Sequence, residues 1–259
     1  MKILKQSIQY AANLTGYEIS RAGKKRASAI PVEFDEAERS LFSLVKDNEM
    51  TMTSSERMFA TMMACKHAVE SDIDGDFVEC GVWRGGNSIL AAGEFRHRNS
   101  DKMVHLFDTF EGMTAPTEFD RTAASNVPAE EKFRETQRGE NSDWCYSAVD
   151  EVKNNFAKAG LLSDKVKFVK GDVLKTLEDE SNLPSKISVL RLDTDWYEST
   201  RKELEVLYPR LSVGGVLMID DYGHWAGAKK AVDEYFEAHG NRPFLQYIDR
   251  TGRIGIKMR

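Results

Sequence analysis

From residue 76 onward, short apolar runs rich in β-formers alternate with loops and helical stretches, and several of these runs close on a carboxylate. Alternation of this kind folds as an α/β domain, with helices on both faces of a mostly parallel, Rossmann-like sheet. Phe77-Val-Glu-Cys80 reads as a strand, a glycine loop and an apolar helix through Ile89 to Phe95 follow, and Val104-His-Leu-Phe-Asp108 completes a βαβ unit. The pattern then predicts helices over Val149–Ala159, Val173–Glu180, Ser199–Leu211 and Ala226–His239. Strands are expected at Val166–Lys170, Ile187–Leu192 and Val216–Ile219, with Phe244–Ile248 and Arg253–Lys257 as a closing antiparallel pair.

Two of these strands end in paired acids: Asp193 and Asp195 in Leu190-Arg-Leu-Asp-Thr-Asp-Trp196, and Asp220 and Asp221 in Val216-Leu-Met-Ile-Asp-Asp221. Residues two apart on an extended strand share a face, so Asp193 and Asp195 are expected to point at one ligand. Open α/β sheets bind ligands at strand C-termini, and four acids gathered there repel one another unless a positive charge sits among them. A divalent metal is the simplest such charge, and oxygen-only ligation suits a hard cation such as magnesium. The competing use of these residues is as caps, with Asp193 or Asp195 serving the helix at Ser199–Leu211.

A chain of 259 residues, 41% hydrophobic and 30% charged, fits one elaborated domain or a domain with an added cap. Its net charge of -6 gives no global basic field, so neither nucleic acid nor membrane is an expected partner. No run approaches the roughly 20 apolar residues of a membrane span, and the opening residues lack the apolar stretch of a signal peptide. Cys65, Cys80 and Cys145 are odd in number and widely spaced, which points to a reducing, cytoplasmic setting. Residues 1–50 are expected to form an N-terminal arm or cap, with the basic cluster Arg21-Ala-Gly-Lys-Lys-Arg26, and residues 51–259 the main domain. Thr53-Ser-Ser-Glu56 has capping-box spacing ahead of a helix whose Met58, Phe59, Met62, Met63 and Val69 recur at helical intervals. Polar, proline-containing residues 113–147 interrupt the alternation as a lid, a partly helical insertion or a disordered loop.

The loop Glu79-Cys-Gly-Val-Trp-Arg-Gly-Gly-Asn-Ser88 joins strand to helix, where glycines let a ligand approach backbone amides. It is not GxGxxG, so a nicotinamide enzyme loses its most specific support. Asp108, at the next strand end, is placed to accept both hydroxyls of a ribose, and Asp172 adds a polar group at a third strand end. Singly, each Asp reads as a turn or cap residue. With Glu79, three acids in phase with three strands predict a bound nucleoside.

These features resemble class I S-adenosylmethionine-dependent methyltransferases, whose first motif is matched by Glu79, Gly81 and Gly85. The resemblance is closer to the macrocin O-methyltransferase family, which includes mycinamicin and novobiocin sugar methyltransferases. It is carried by Phe77-Val-Glu-Cys-Gly-Val-Trp-Arg-Gly-Gly86, Leu106-Phe-Asp-Thr-Phe-Glu-Gly112, Leu190 to Thr200 and Gly214-Gly-Val-Leu-Met-Ile-Asp-Asp-Tyr-Gly223. It implies a class I sheet with an antiparallel final strand pair, S-adenosylmethionine as methyl donor and Mg2+ as metal. The turn Glu79, Cys80, Gly81, Val82 and Trp83 would hold the methionine moiety, Asp108, Thr109, Phe110 and Gly112 the ribose, and Asp172 and Val173 the adenine edge. Met52, Thr53, Ser88 and Asp193 are further cofactor contacts. Asp193, Asp220 and Asp221 match the family's metal ligands, and Asp195 its general base. The implied acceptor is a small-molecule hydroxyl, a sugar diol by preference, and a homo-oligomer is compatible with the family.

Rival readings stay open at this stage. A catechol-type phenol O-methyltransferase shares fold and metal, but that family uses an Asp-Asn pair and a lysine where this chain has Asp220-Asp221 and Trp196. A noncatalytic S-adenosylmethionine-binding protein and a metal phosphohydrolase are the alternatives from other classes. His224 is either a substrate-orienting group or a hydrogen-bonded loop residue, and Tyr197, Tyr222 and Trp225 either line a sugar face or pack internally.

Overall fold

In a computed structural model describing residues 30–259, the chain divides into two units, Met1–Phe34 and Asp35–Arg259. The basic cluster at Arg21–Arg26 lies outside the described residues. Within residues 30–34, the Phe34 N–H closes a turn onto the Pro31 carbonyl at 3.3 Å. The larger unit begins with α1 (Glu36–Asp47), α2 (Ser55–Glu70), β1 (Asp76–Cys80), α3 (Gly86–His97) and β2 (Val104–Asp108). Next come α4 (Ala129–Glu135), the short β3 (Gln137–Arg138) and β4 (Asn141–Ser142), α5 (Val149–Lys158), β5 (Val166–Lys170) and α6 (Val173–Thr176). It closes with β6 (Ile187–Leu192), α7 (Tyr197–Leu207), β7 (Leu211–Ile219), α8 (Ala226–His239), β8 (Gln246–Tyr247) and β9 (Arg253–Ile256).

Seven strands form one sheet in the order β5-β2-β1-β6-β7-β9-β8. The first five are parallel and β9 runs antiparallel to both its neighbours. Strand β6 is buried along its whole length, as a central strand covered on both faces must be. Successive side chains alternate between the faces. Val78, Cys80, Leu190, Leu192, Leu217 and Ile219 join Leu204, Leu207, Val232 and Phe236 of α7 and α8 in one core. The alternates Glu79 and Arg191 face the other way, toward Ser88 of α3. No described helix is long and apolar enough to cross a membrane.

Several boundaries differ from those read in the sequence. The N-cap of α2 is Ser54, which accepts from the Arg57 N–H, so Thr53 and Glu56 make no capping box; Thr53 instead accepts from or donates to the Thr51 hydroxyl. Helix α1, expected in the arm, belongs to the larger unit, capped by Asp35 and Glu38 in a true capping box and packed on α3. The helix expected over Val173–Glu180 is one turn long, because Asp179 caps a separate 3-10 turn at Glu180–Asn182. Helix α7 starts at Tyr197, and β7 begins at Leu211 and runs through Gly214 and Gly215.

The insertion at 113–147 is partly helical and packed. Gly112, which opens it, has φ +85°, and a Cβ there would lie 1.7 Å from the Ser142 carbonyl oxygen, so only glycine lets the two ends meet. Asp120, fully buried, accepts from the Tyr197 N–H at 2.8 Å with one oxygen and from the Thr117 N–H at 2.7 Å with the other. Trp196 has no capping side chain of its own; the insertion caps α7 from outside. Asp120→Ala should cost about 1–3 kcal/mol through the unpaired buried donors and expose residues 113–147 to protease. Unchanged melting and unchanged cleavage would show that this anchor is not what orders the insertion.

Candidate active site

Register brings the functional loops level. Cys80 stands opposite Leu192, and Leu192 opposite Ile219, so Gly81, Asp193 and Asp220 leave the sheet side by side. The ladder continues past them: Asp193 N–H donates to the Cys80 carbonyl at 2.8 Å and Asp220 N–H to that of Leu192 at 2.9 Å. Gly81 has φ +80°, and a Cβ on it would sit 2.1 Å from the Asp193 carbonyl oxygen. Strand order reverses between β1 and β6, which makes this edge the sheet's ligand-binding crevice. A cleft of about 300 Å³ opens here, lined by Met52, Thr53, Arg57, Gly81, Trp83, Asp108, Gly112 and the four acids. The insertion contributes Met113, Lys132, Trp144 and Cys145, and the loop after β7 contributes His224 and Trp225. An adjoining recess of about 60 Å³ adds Thr109, Asp172 and Val173.

The acids do have positive charge among them, and much of it is protein. Arg191 is completely buried and donates to Glu79 Oε1 at 2.9 Å, Asp193 Oδ2 at 2.6 Å and Asp220 Oδ1. Arg57 of α2 donates to the other oxygen of Asp220 and, at 2.8 Å, to Asp249. Neither arginine figured among the sequence candidates. The signal was there: a cation between Leu190 and Leu192 in a strand buried on both faces has to be paired with acids.

Burial pushes Glu79, Asp193 and Asp220 up to about 7 despite Arg191, and Asp195 up to about 8. Asp221 is raised well above the usual carboxylate range, first by burial and then by Asp195. Asp193 and Asp220 are in side-chain contact, as are Asp195 and Asp221. Carboxyls in such contact hold protons that isolated ones release. His224 is pushed the other way, first by burial and then by Arg250, Arg57 and Lys132.

Asp193 and Asp195 converge by a different route from a shared strand face. The strand ends at Leu192, Asp195 takes φ +70°, and the Trp196 N–H closes a three-residue turn onto the Thr194 carbonyl at 2.8 Å. This turn brings oxygens of Asp193, Asp195 and Asp221 within 4.8 Å of one another. The grouping holds Asp195 where Asp220 was expected, and both Asp220 oxygens are engaged by arginines. Carboxylate oxygens at this spacing suit a hard divalent cation. Asp220 touches Asp193, and its oxygens keep further lone pairs.

The cofactor candidates divide into those at the cleft and those behind it. Met52, Thr53, Gly81, Trp83, Asp108, Thr109, Gly112, Asp172, Val173 and Asp193 line the cleft or recess. Glu79 is sealed between Arg191 and Ser88, and Cys80, Val82, Ser88 and Phe110 are buried behind the lining. Asp108 braces the glycine loop, accepting from the Val82 and Trp83 N–H groups at 2.6 and 3.2 Å and from Phe110 N–H at 2.6 Å. It braces the loop and lines both the cleft and the recess. Asp172 accepts from the Leu174 N–H at 2.9 Å, the ordinary work of a cap.

The raised carboxyls have a consequence for stability. Burial raises Glu79, Asp193, Asp195 and Asp220 to about 7 or 8 in the folded chain, against about 4 when unfolded. The folded state thus binds more protons, and stability is lost as pH rises through that window. The melting temperature of metal-free protein should fall between about pH 4 and pH 8, and magnesium should flatten the fall. Arg191→Met should destabilise by about 3–5 kcal/mol in denaturant titration, since it leaves buried acids without their cation.

From residue 6 to residue 254 the chain matches the family model described as macrocin-O-methyltransferase (TylF). It is 35% identical over 209 residues to demethyldecarbamoylnovobiocin O-methyltransferase of Streptomyces niveus, covering 79% of this chain and 74% of that one. It is 34% identical over 203 residues to a Streptomyces olivaceus 8-demethyl-8-(2,3-dimethoxy-alpha-L-rhamnosyl)-tetracenomycin-C 4'-O-methyltransferase, covering 78% and 73%. The solved O-methyltransferase NovP superposes with TM-score 0.69 at 32% identity over 81% of this chain and 83% of that one. Sequence likeness that spans both the glycine loop and the acid pairs is matched by likeness of fold, and the chain belongs to the macrocin O-methyltransferase family.

Proposed function

We propose that the protein transfers a methyl group from S-adenosylmethionine to a hydroxyl of a sugar or glycosylated small molecule. Asp193, Asp220 and Asp221 would hold a magnesium ion, with Asp195 as general base. The observation that carries this reading is the gathering of Asp193, Asp195 and Asp221 oxygens within 4.8 Å beside Gly81, with Asp220 in side-chain contact with Asp193. Bound there, the cation supplies stabilisation of negative charge on the acceptor oxygen. Asp195, which has no arginine or lysine ion pair among the described residues, takes the hydroxyl proton as the O–CH3 bond forms and the S–CH3 bond breaks. The products are the methyl ether and S-adenosylhomocysteine, with the proton left on Asp195.

Gly81 and Trp83 form the donor side of the cleft, and Thr109, Asp172 and Val173 the adenosine recess. Trp144 and Trp225 present aromatic surface to the acceptor, as pockets for rings commonly do. A relative named for a rhamnosyl substrate supports the sugar class. Trp196 disfavours the catechol-type reading: it is buried, donates to the Thr114 carbonyl at 2.9 Å and packs against Trp144 and Trp225, leaving no ammonium at that position.

Asp195→Asn should lower turnover by about 10²–10⁴-fold, followed as S-adenosylhomocysteine release with a panel of diol-bearing sugars, while calorimetry finds magnesium affinity preserved. Asp193→Asn and Asp220→Asn should lose magnesium affinity. If Asp195→Asn loses it and Asp220→Asn does not, the two residues exchange roles. Absence of S-adenosylmethionine binding by the wild type would remove the donor itself.

A further inference from the structure

Glu203 has no evident reason to be where it is. It lies on α7 with no exposed surface, one position before core residue Leu204, and makes no salt bridge among the described residues. Its Oε2 has no hydrogen-bond partner among them. Burying a carboxyl with half its capacity unused is costly, and an apolar residue there would pack at less expense. What Glu203 does hold is Thr194: the hydroxyl Oγ1 donates to Glu203 Oε1 at 2.7 Å and lies 2.8 Å from Ser199 Oγ. Ser199 in turn donates to the Trp196 carbonyl at 3.1 Å.

Thr194 is the residue between Asp193 and Asp195, and its carbonyl accepts the N–H that closes the turn. A non-glycine residue at φ +70° persists only where its surroundings over-determine it. We infer that Glu203 is a positioning residue: through the Thr194 hydroxyl it fixes the turn that aims Asp193 and Asp195 into the cleft. The inference rests on the roles proposed above for those two acids, but the clamp itself is a property of the chain alone. Glu203 touches no reacting atom and acts only through Thr194.

The test uses full-length metal-free protein and reads amide hydrogen exchange at Trp196, whose N–H closes the turn. Glu203→Leu and Thr194→Val should each speed exchange at Trp196 by about tenfold or more while the Leu190 and Leu217 amides keep wild-type rates. Combining the two should add little, since each removes the same contact. Glu203→Gln retains the acceptor oxygen and should restore the wild-type rate. In calorimetry with magnesium alone, Glu203→Leu should bind about tenfold more weakly. Wild-type exchange at Trp196 in Glu203→Leu, or acceleration there only in step with the core amides, would overturn the inference. If wild-type protein binds no magnesium while the exchange result holds, the metal assignment fails and the clamp stands.

Discussion

Arg191 occupies the middle of the sheet with no exposed surface, and its guanidinium is shared among Glu79 on β1, Asp193 after β6 and Asp220 after β7. Removing that cation would leave three carboxyls facing one another in a low-dielectric interior, where repulsion is strongest. Strand register supplies the acids at matching heights, and Arg191 makes their proximity tolerable. Arg57 extends the network outward, joining the first turn of α2 to Asp220 and to Asp249 in the β8–β9 turn. Such buried pairs add little net stability against an apolar core of equal volume. Their effect here is orientation: each acid has its direction set before any ligand arrives.

That arrangement divides the acids by their partners. Glu79 is wholly internal and Asp220 is engaged by both arginines, so these two anchor the network. Asp195 and Asp221 are in contact with each other, make no ion pair to either arginine, and are both raised above the usual carboxylate range by burial. A cation entering there would displace protons, so its affinity is coupled to pH. The same edge is braced from both sides, by Asp108 holding the glycine loop and by the insertion capping α7.

The elements whose information is local were legible in the sequence. β5, β6 and α8 have the limits their apolar periodicity indicates, since each is bounded by its own turn residues. The start of α7 was not, because its cap is Asp120, distant in the chain and invisible to any local pattern. Gly214 and Gly215 precede the strand expected at Val216–Ile219, yet a left-handed Gly214 is absorbed within β7, where the pairing with β6 is irregular. At the site, the acids and the glycine loop were identifiable by residue type and spacing. Of the partners that set their charge and direction, Arg191 left a signal between two apolar strand residues, while Arg57 and Glu203 join the network only once the chain is folded.

The tryptophans have a consequence of another kind. The chain contains four; Trp83, Trp144 and Trp225 line the cleft, and Trp196 packs edge-on against the latter two at 5.6 and 5.1 Å between ring centroids. Every indole in the molecule therefore reports from one place. Tryptophan emission excited selectively, usually an average over a whole fold, is here the spectrum of the active-site edge.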